Sequence, residues 1–374
     1  MKKLGFGVMR MPLLDSTDVT SFDIPQINNM IDTFLKEGFT YFDTAFVYHR
    51  GKSEDMIKRC LVERHPRGSF VLATKLPIWH VKDAADPLSL FNKQLTRCGV
   101  EFFDYYLLHS LNVDIYQTIK QFDLFGFGFE LKKQGKIKNF GFSFHDTPEL
   151  LEEILADQAA SGNPKLDFVQ LQINYADWDN PGIQARACYE IARKYDIPII
   201  VMEPVKGGTL ANLPPAAEDL LRGFNKNASP ASWAVRYAAG VDGVFMVLSG
   251  MSNMAQLTDN ISYMKDFKPL STEESAVVDK VVAILKEGTA IGCTYCGYCA
   301  KDCPKNIAIP NYFALYNDLK QNPKAFLPGG YYNMIAKKAG KASECIACKV
   351  CEKMCPQRLD IIGGLKEVAG EFEK

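Results

Sequence analysis

Eight of the eleven cysteines fall between residues 293 and 355, in two copies of one pattern. The first copy is Cys293, Cys296, Cys299 and Cys303, closed by Pro304; the second is Cys345, Cys348, Cys351 and Cys355, closed by Pro356. This is the C-x2-C-x2-C-x3-C-P spacing, in which three thiolates face one iron–sulfur cubane and the fourth reaches the other cluster. The expectation is two [4Fe–4S] clusters. One is held by Cys293, Cys296, Cys299 and Cys355, and the other by Cys345, Cys348, Cys351 and Cys303. A pair of zinc sites is the alternative, because a set of four thiolates also suits Zn²⁺. Cys60, Cys98 and Cys188 are scattered singly through the earlier chain. A long cysteine-poor body beside a dense tail argues against a secreted disulfide framework.

A second set of reactive side chains ends successive apolar runs. Asp43 closes Tyr41-Phe42-Asp43, Tyr48 follows five residues later, Lys75 ends Ala73-Thr74-Lys75, and His109 ends Tyr105-Tyr106-Leu107-Leu108-His109. The elements that must position them are short apolar strands, expected over 4–9, 41–45, 71–75, 105–109, 139–143, 168–173, 199–202 and 244–248. Helical patterns lie between them, over 27–36, 54–62, 88–98, 148–160, 183–195, 231–239 and 255–264. Nearly continuous apolar strands alternating with helices imply a parallel sheet buried on both faces. Eight β/α units in about 265 residues suit a (β/α)8 TIM barrel, an α/β fold of about 250 residues. A doubly wound sheet is the competitor. Neither Gly5-Phe6-Gly7 nor Gly126-Phe127-Gly128 completes the Gly-x-Gly-x-x-Gly turn that such a sheet uses for a dinucleotide. In a barrel, polar residues at strand carboxyl ends converge on the catalytic face.

Asp43, Tyr48, Lys75 and His109, in that order on consecutive strand ends, resemble the tetrad of the aldo/keto reductases. The resemblance covers about residues 1–265, and the cysteine tail makes the whole chain resemble the iron–sulfur-containing members. It implies a barrel domain over 1–268, a helical linker over 269–288 and, over 289–374, a small helix-rich domain similar to the dicluster ferredoxins. The implied function is a nicotinamide-dependent oxidoreductase that interconverts a small carbonyl compound and its alcohol. Reducing a carbonyl places negative charge on its oxygen, which must receive a proton in or near the same step. Tyr48 would donate it, Lys75 would lower the phenol's pKa, Asp43 would hold the lysine, and His109 would orient the carbonyl.

By the same resemblance NAD or NADP is the cofactor. Ser143 and Gln170 would hold the nicotinamide carboxamide, although Phe144 stands where an asparagine is common. Met202 would pack under the ring in place of an aromatic residue. Gly207, Gly208, Ser249, Gly250 and Ser252 fall in the phosphate region of the barrel, and Asn253 would cap the following helix. Gln256 and Asn260 match the adenosine end, with Gln256 where an arginine commonly binds the 2′-phosphate of NADP. Phe46, Trp79, Tyr175 and Trp178 are expected on loops at the barrel mouth.

Hydride transfer moves two electrons together, whereas a cubane takes one. An alternative reading is therefore an electron-transfer protein, fed by a flavin or a partner, whose barrel has weak or no carbonyl reductase activity. A third treats the clusters as structural. Residues 301–353 hold nine Lys and four acidic residues. Compensation of the cluster charge is the first explanation, and a docking face for an acidic electron carrier is the second. Forty-three basic against 44 acidic residues leave no footprint for nucleic acid. No run approaches the ~18 apolar residues of a membrane span. Arg10, Pro12 and Asp15 break the opening stretch before it can read as a signal peptide, so a cytoplasmic protein is expected.

Overall fold

The computed structural model describes residues 1–180, 183–321 and 327–374; Lys324, among the basic residues counted above, lies outside them. Eight strands form a closed barrel in sequence order: β1 Leu4–Gly7, β2 Tyr41–Asp43, β3 Val71–Leu76, β4 Phe103–Leu111, β5 Ile137–Phe144, β6 Phe168–Gln172, β7 Ile199–Met202 and β8 Val244–Ser249. Every neighbouring pair is parallel, and β8 pairs back onto β1. All eight coincide with the apolar runs of the sequence. The barrel interior is a packed layer that includes Tyr41, Ala73, Leu107, Phe168, Ile200 and Met246.

Local signals set the helix ends. Asp23 accepts the Gln26 N–H (3.1 Å) at the start of Ile24–Lys36, and Thr147 accepts the Leu150 N–H (3.4 Å) at the start of Pro148–Ala160. Gly38 follows the first of these helices at φ +80°, a conformation that glycine adopts without a Cβ penalty. Helices Val113–Gln121 and Leu124–Lys133, between β4 and β5, were not foreseen. Gly126 and Gly128 belong to the second of them. A Cβ on Gly128 would sit 2.0 Å from Phe140 Cζ, so this glycine lets the helix approach β5.

The chain divides into two compact units. The first comprises 1–178, 184–204 and 231–270, and contains all eight strands. The second comprises 179–183, 205–230 and 271–374. The sequence division had placed 205–230 within the barrel domain; in the structure its helix Pro215–Phe224 packs on helix Thr272–Gly288 of the second unit. The latter opens with the capping box of Ser271 and Glu274. The second unit is helical, with Ile309–Gln321, Leu327–Ala336 and Ile361–Phe372 around a core that includes Ile307, Tyr312, Phe313 and Leu365. No described helix is long and apolar enough to cross a membrane.

Candidate functional site

Strand register places the acid–base residues. Asp43 on β2 is level with Ala73 on β3, so Lys75 reaches past that level toward the carboxyl end. Lys75 Nζ donates to Asp43 Oδ1 (2.5 Å) and to the Thr44 carbonyl (2.8 Å). Both members of this ion pair are buried, at 1% and 3% exposure. Burial pushes the Asp43 carboxyl up and the Lys75 ammonium down, and each charge holds the other back. Tyr48 begins a short helical turn after β2, and Lys75 Nζ lies 5.1 Å from its ring centroid. The rings of Tyr48 and His109 meet edge to face at 6.1 Å, and Trp79 packs on His109 at 5.2 Å.

The structure thus brings all four tetrad positions together, with one difference from the expectation. The Tyr48 phenol is pushed well above its ordinary value by burial first, then by the carboxylates of Asp43 and Glu203. The phenol is therefore kept protonated in this arrangement, with Lys75 Nζ over its ring. His109 is held well below its ordinary value by burial, with Lys75⁺ and His145 adding to the effect. Its imidazole is neutral, and Nδ1 is buried with no hydrogen-bond partner among the described residues.

A network missed in the sequence lies behind this cluster. Glu54 is fully buried; its Oε1 accepts from Thr74 Oγ1 and Gln94 Nε2 (both 2.8 Å), and its Oε2 pairs with Arg97 at 3.2 Å. Gln94 also donates to the Lys75 carbonyl (3.0 Å) and accepts from the Tyr106 hydroxyl (2.7 Å). Glu54 had been read only as part of a helix. Its charge gives no periodic signal, because its partners lie 20 to 43 residues away in sequence.

The residues expected around a nicotinamide dinucleotide occupy several strand ends. Ser143 and Gln170 are level with one another on β5 and β6 and are both buried. Ser143 Oγ accepts the Ser110 N–H (2.7 Å), whereas Gln170 Oε1 is buried with no hydrogen-bond partner among the described residues. That unmet acceptor fits a carboxamide N–H. Met202 ends β7, half-buried, opposite Gln172 on β6. Ser249 ends β8, and Gly250 follows it; a Cβ there would lie 3.3 Å from Arg10 Cδ, which puts a cation missed in the sequence against this loop. Asn253 caps helix Met254–Met264 by accepting the Gln256 N–H (2.9 Å). Gln256 Oε1 accepts the Ser252 N–H (2.7 Å), and Asn260 Nδ2 donates to the Gln256 carbonyl (2.9 Å). Asn260 Oδ1 is buried with no partner among the described residues.

Gly207 and Gly208 belong to the other unit. They lie in the turn Lys206–Ala211 of the second unit, at φ +65° and +108°. A Cβ on Gly207 would lie 2.6 Å from the Thr294 carbonyl, and Lys206 Nζ donates to Gln357 Oε1 (3.1 Å). Of the four loop aromatics, Trp79 abuts the tetrad. Phe46 packs under Arg97, while Tyr175 and Trp178 both meet Tyr237.

In the second unit the cysteines stand around two cavities. One is lined by Cys293, Cys296, Cys299 and Cys355; the other by Cys303, Cys345, Cys348 and Cys351. Ile309 belongs to both walls. Among the described residues, no three His, Cys, Asp or Glu side chains converge as they would on a single metal ion. Thiols arranged around a void fit a multi-atom cluster better than one tetrahedral zinc with bonds of about 2.3 Å. Burial pushes Cys293 up to about 11, Cys299 to about 12 and Cys351 to about 11. Such thiols lose their protons at neutral pH on binding a metal.

Comparison with known proteins agrees with this geometry. The 4Fe-4S dicluster domain model matches residues 292–359. An uncharacterized oxidoreductase of Bacillus subtilis, YqkF, is 22% identical over 271 residues, covering 62% of this chain and 80% of that protein. Among solved structures, an aldo/keto reductase from Klebsiella pneumoniae in complex with NADP and acetate is similar at TM-score 0.58 and 20% identity, over 75% of this chain and 91% of that one. The aldo-keto reductase AKR11C1 from Bacillus halodurans, in its holo form, is similar at TM-score 0.54 and 23% identity, over the same shares. The aldo/keto reductase family model matches residues 3–283, and the chain belongs to that family.

Proposed function

We propose that this chain is a nicotinamide-dependent oxidoreductase that interconverts a small carbonyl compound and its alcohol, and that its C-terminal region carries two [4Fe–4S] clusters for electron transfer. The observation that carries the reading is the buried Lys75–Asp43 pair set against the Tyr48 ring, with neutral His109 on its edge. A bound nicotinamide supplies the hydride to the carbonyl carbon. Neutral His109 donates a hydrogen bond to the carbonyl oxygen and orients it. Tyr48, kept protonated, gives its proton to that oxygen as charge develops. Lys75⁺ stabilises the phenolate left behind, and Asp43 keeps the lysine charged and in place. In the oxidative direction the same phenolate takes the proton from the alcohol.

The unmet Gln170 oxygen, with Ser143 beside it, would hold the carboxamide, and Met202 the ring face. Ser249, Gly250, Ser252, Gln256 and Asn260 would hold the rest of the dinucleotide. The Klebsiella relative binds NADP, but here Gln256 stands where an arginine would read the 2′-phosphate, so NAD(H) should bind at least as tightly. Isothermal titration with both cofactors decides this, and a strong NADP(H) preference would overturn it. Cys293, Cys296, Cys299 and Cys355 would hold one cluster, and Cys345, Cys348, Cys351 and Cys303 the other. Eight reduced thiols of this kind suit the cytoplasm.

The test is the visible spectrum of the anaerobic chain before and after NADH, NADPH or dithionite, beside carbonyl reduction by wild type and Tyr48→Phe. Cluster absorbance that dithionite bleaches, together with turnover that the variant loses, supports the reading. A flavin band and no turnover would favour the electron-transfer alternative.

A further inference from the structure

The two thiol cavities differ in their surroundings. The first is walled by neutral groups, among them Thr294, Phe313, Gln357 and Leu359. None of its four cysteines is fully exposed. At the second, Cys348 is exposed, and so is every residue from Ile346 to Lys349. Ile346 lines the cavity yet is 57% exposed, and Lys305, on the same wall, is also exposed. Met354, at 46%, is a further exposed apolar side chain of the second motif, next to Cys355 of the first cavity.

The charge around this opening is one-sided. Segments 301–305 and 341–353 carry Lys301, Lys305, Lys341, Lys349 and Lys353, against Asp302, Glu344 and Glu352. Glu352 is committed inward, where its carboxylate accepts the Ile362 N–H (3.0 Å). Exposed apolar side chains flanked by lysines have the anatomy of a protein docking site, with an apolar centre and a charged rim. A lysine stands at each cavity, Lys206 bonded to Gln357 of the first wall and Lys305 in the second, but only at the second does a further lysine, Lys349, adjoin an exposed cysteine, Cys348.

We propose that the exposed rim of the Cys303, Cys345, Cys348 and Cys351 cavity, centred on Ile346 and bordered by Lys305, Lys349 and Lys353, is the docking face for an acidic one-electron carrier protein. The proposal rests on the cluster assignment above. In the step it serves, the reduced carrier gives one electron to the oxidised cubane, which gains one unit of negative charge. No bond is made or broken and no proton moves. The face supplies complementary charge, which acts mainly on the rate of encounter.

The experiment uses the full anaerobic chain with a reduced plant-type [2Fe–2S] ferredoxin as the acidic probe, mixed in a stopped-flow instrument while cluster bleaching is followed. Iron content and bleaching by dithionite are measured first on every variant. The second-order rate of wild type should fall as salt is added. Lys349→Glu with Lys353→Glu should lower it about tenfold or more at low salt, the scale of electrostatic steering. Ile346→Glu should lower it as well. Lys133→Glu, an exposed reversal in the first unit, should leave the rate near wild type. With cytochrome c, a basic carrier, oxidation of the reduced clusters should become faster in the double variant. Unchanged rates in the double variant with clusters intact would overturn the docking face and leave the cluster assignment standing. Absence of iron, or zinc in its place, would overturn both.

Discussion

The barrel site and the cysteine cavities treat charge and burial in opposite ways. In the barrel, Lys75 and Asp43 are buried as a pair at 2.5 Å, and Glu54 is buried against Arg97. Removing either partner of such a pair strands a charge, so the geometry is held rigidly. In the cysteine region the cavity walls are apolar and neutral apart from Lys305, and the thiols themselves are the ligands. On the function proposed above, the difference follows from what each site would control. A two-electron transfer with a proton needs one protonation state at one atom. A one-electron site needs its ligands and a surface that a carrier can approach.

That contrast can be broken most decisively at the cysteines. Wild type should hold about eight iron per anaerobic chain, and Cys303→Ala about half of that if the crossed ligation is correct. Paramagnetic resonance after dithionite should show the signal that survives in Cys303→Ala lost in Cys296→Ala. If Cys303→Ala and Cys296→Ala damage the same signal, each motif closes its own site and the crossing is wrong.

In the barrel the largest effect should come from Tyr48→Phe, with carbonyl reduction falling about 10²–10⁴-fold while nicotinamide affinity is nearly kept. Lys75→Met should fall comparably. Cluster spectra should not change in either variant, which is the sharper half of the comparison. Turnover near wild type in Tyr48→Phe, with chemistry shown to be rate-limiting, would remove the residue from its role.

Glu54→Ala should destabilise the folded barrel by about 3 kcal/mol, because Thr74 and Gln94 lose their buried acceptor and the mostly buried Arg97 keeps only the longer pair to Asp55 (3.9 Å). Denaturant unfolding measures it, and a change below about 1 kcal/mol would mean that water replaces the lost partner.

The smallest effect concerns His109. Its folded pKa lies well below the ordinary 6.5, so the unfolded chain binds more protons in the interval beneath 6.5. Stability should therefore fall as pH drops through that interval, and the fall should be shallower in His109→Gln. Melting temperatures of the two proteins across this range test it; parallel curves would show that His109 is not held neutral. Activity should show no transition from His109 near its ordinary pKa.

The two cysteine motifs were legible in the sequence because each sets three cysteines within seven residues, where local chain geometry alone brings them together. The eight strands were legible for a similar reason: burial on both faces leaves an apolar run that needs no knowledge of its partners. Helices Val113–Gln121 and Leu124–Lys133 were missed, since Gly126, Gly128 and four phenylalanines (Phe122, Phe125, Phe127 and Phe129) obscure any helical period. The tetrad lay between these cases. Asp43, Tyr48, Lys75 and His109 could be chosen because each stands at or near a strand end, but their spacing in sequence carries no distance.

By itself, then, the sequence determined the order of the strands, the barrel class and the two cysteine motifs, all of which follow from local periodicity or close spacing. Only the tertiary structure decided which groups share a dielectric. It set Lys75 over the ring of Tyr48, left Gln170 with an unmet oxygen, and buried Glu54 behind the site. It also placed Lys206 and Gly207 beside Thr294 and Gln357, and exposed Cys348 alone among the eight clustered cysteines. Electrostatic energy depends on distance and surrounding medium, and neither is written in the order of residues along a chain.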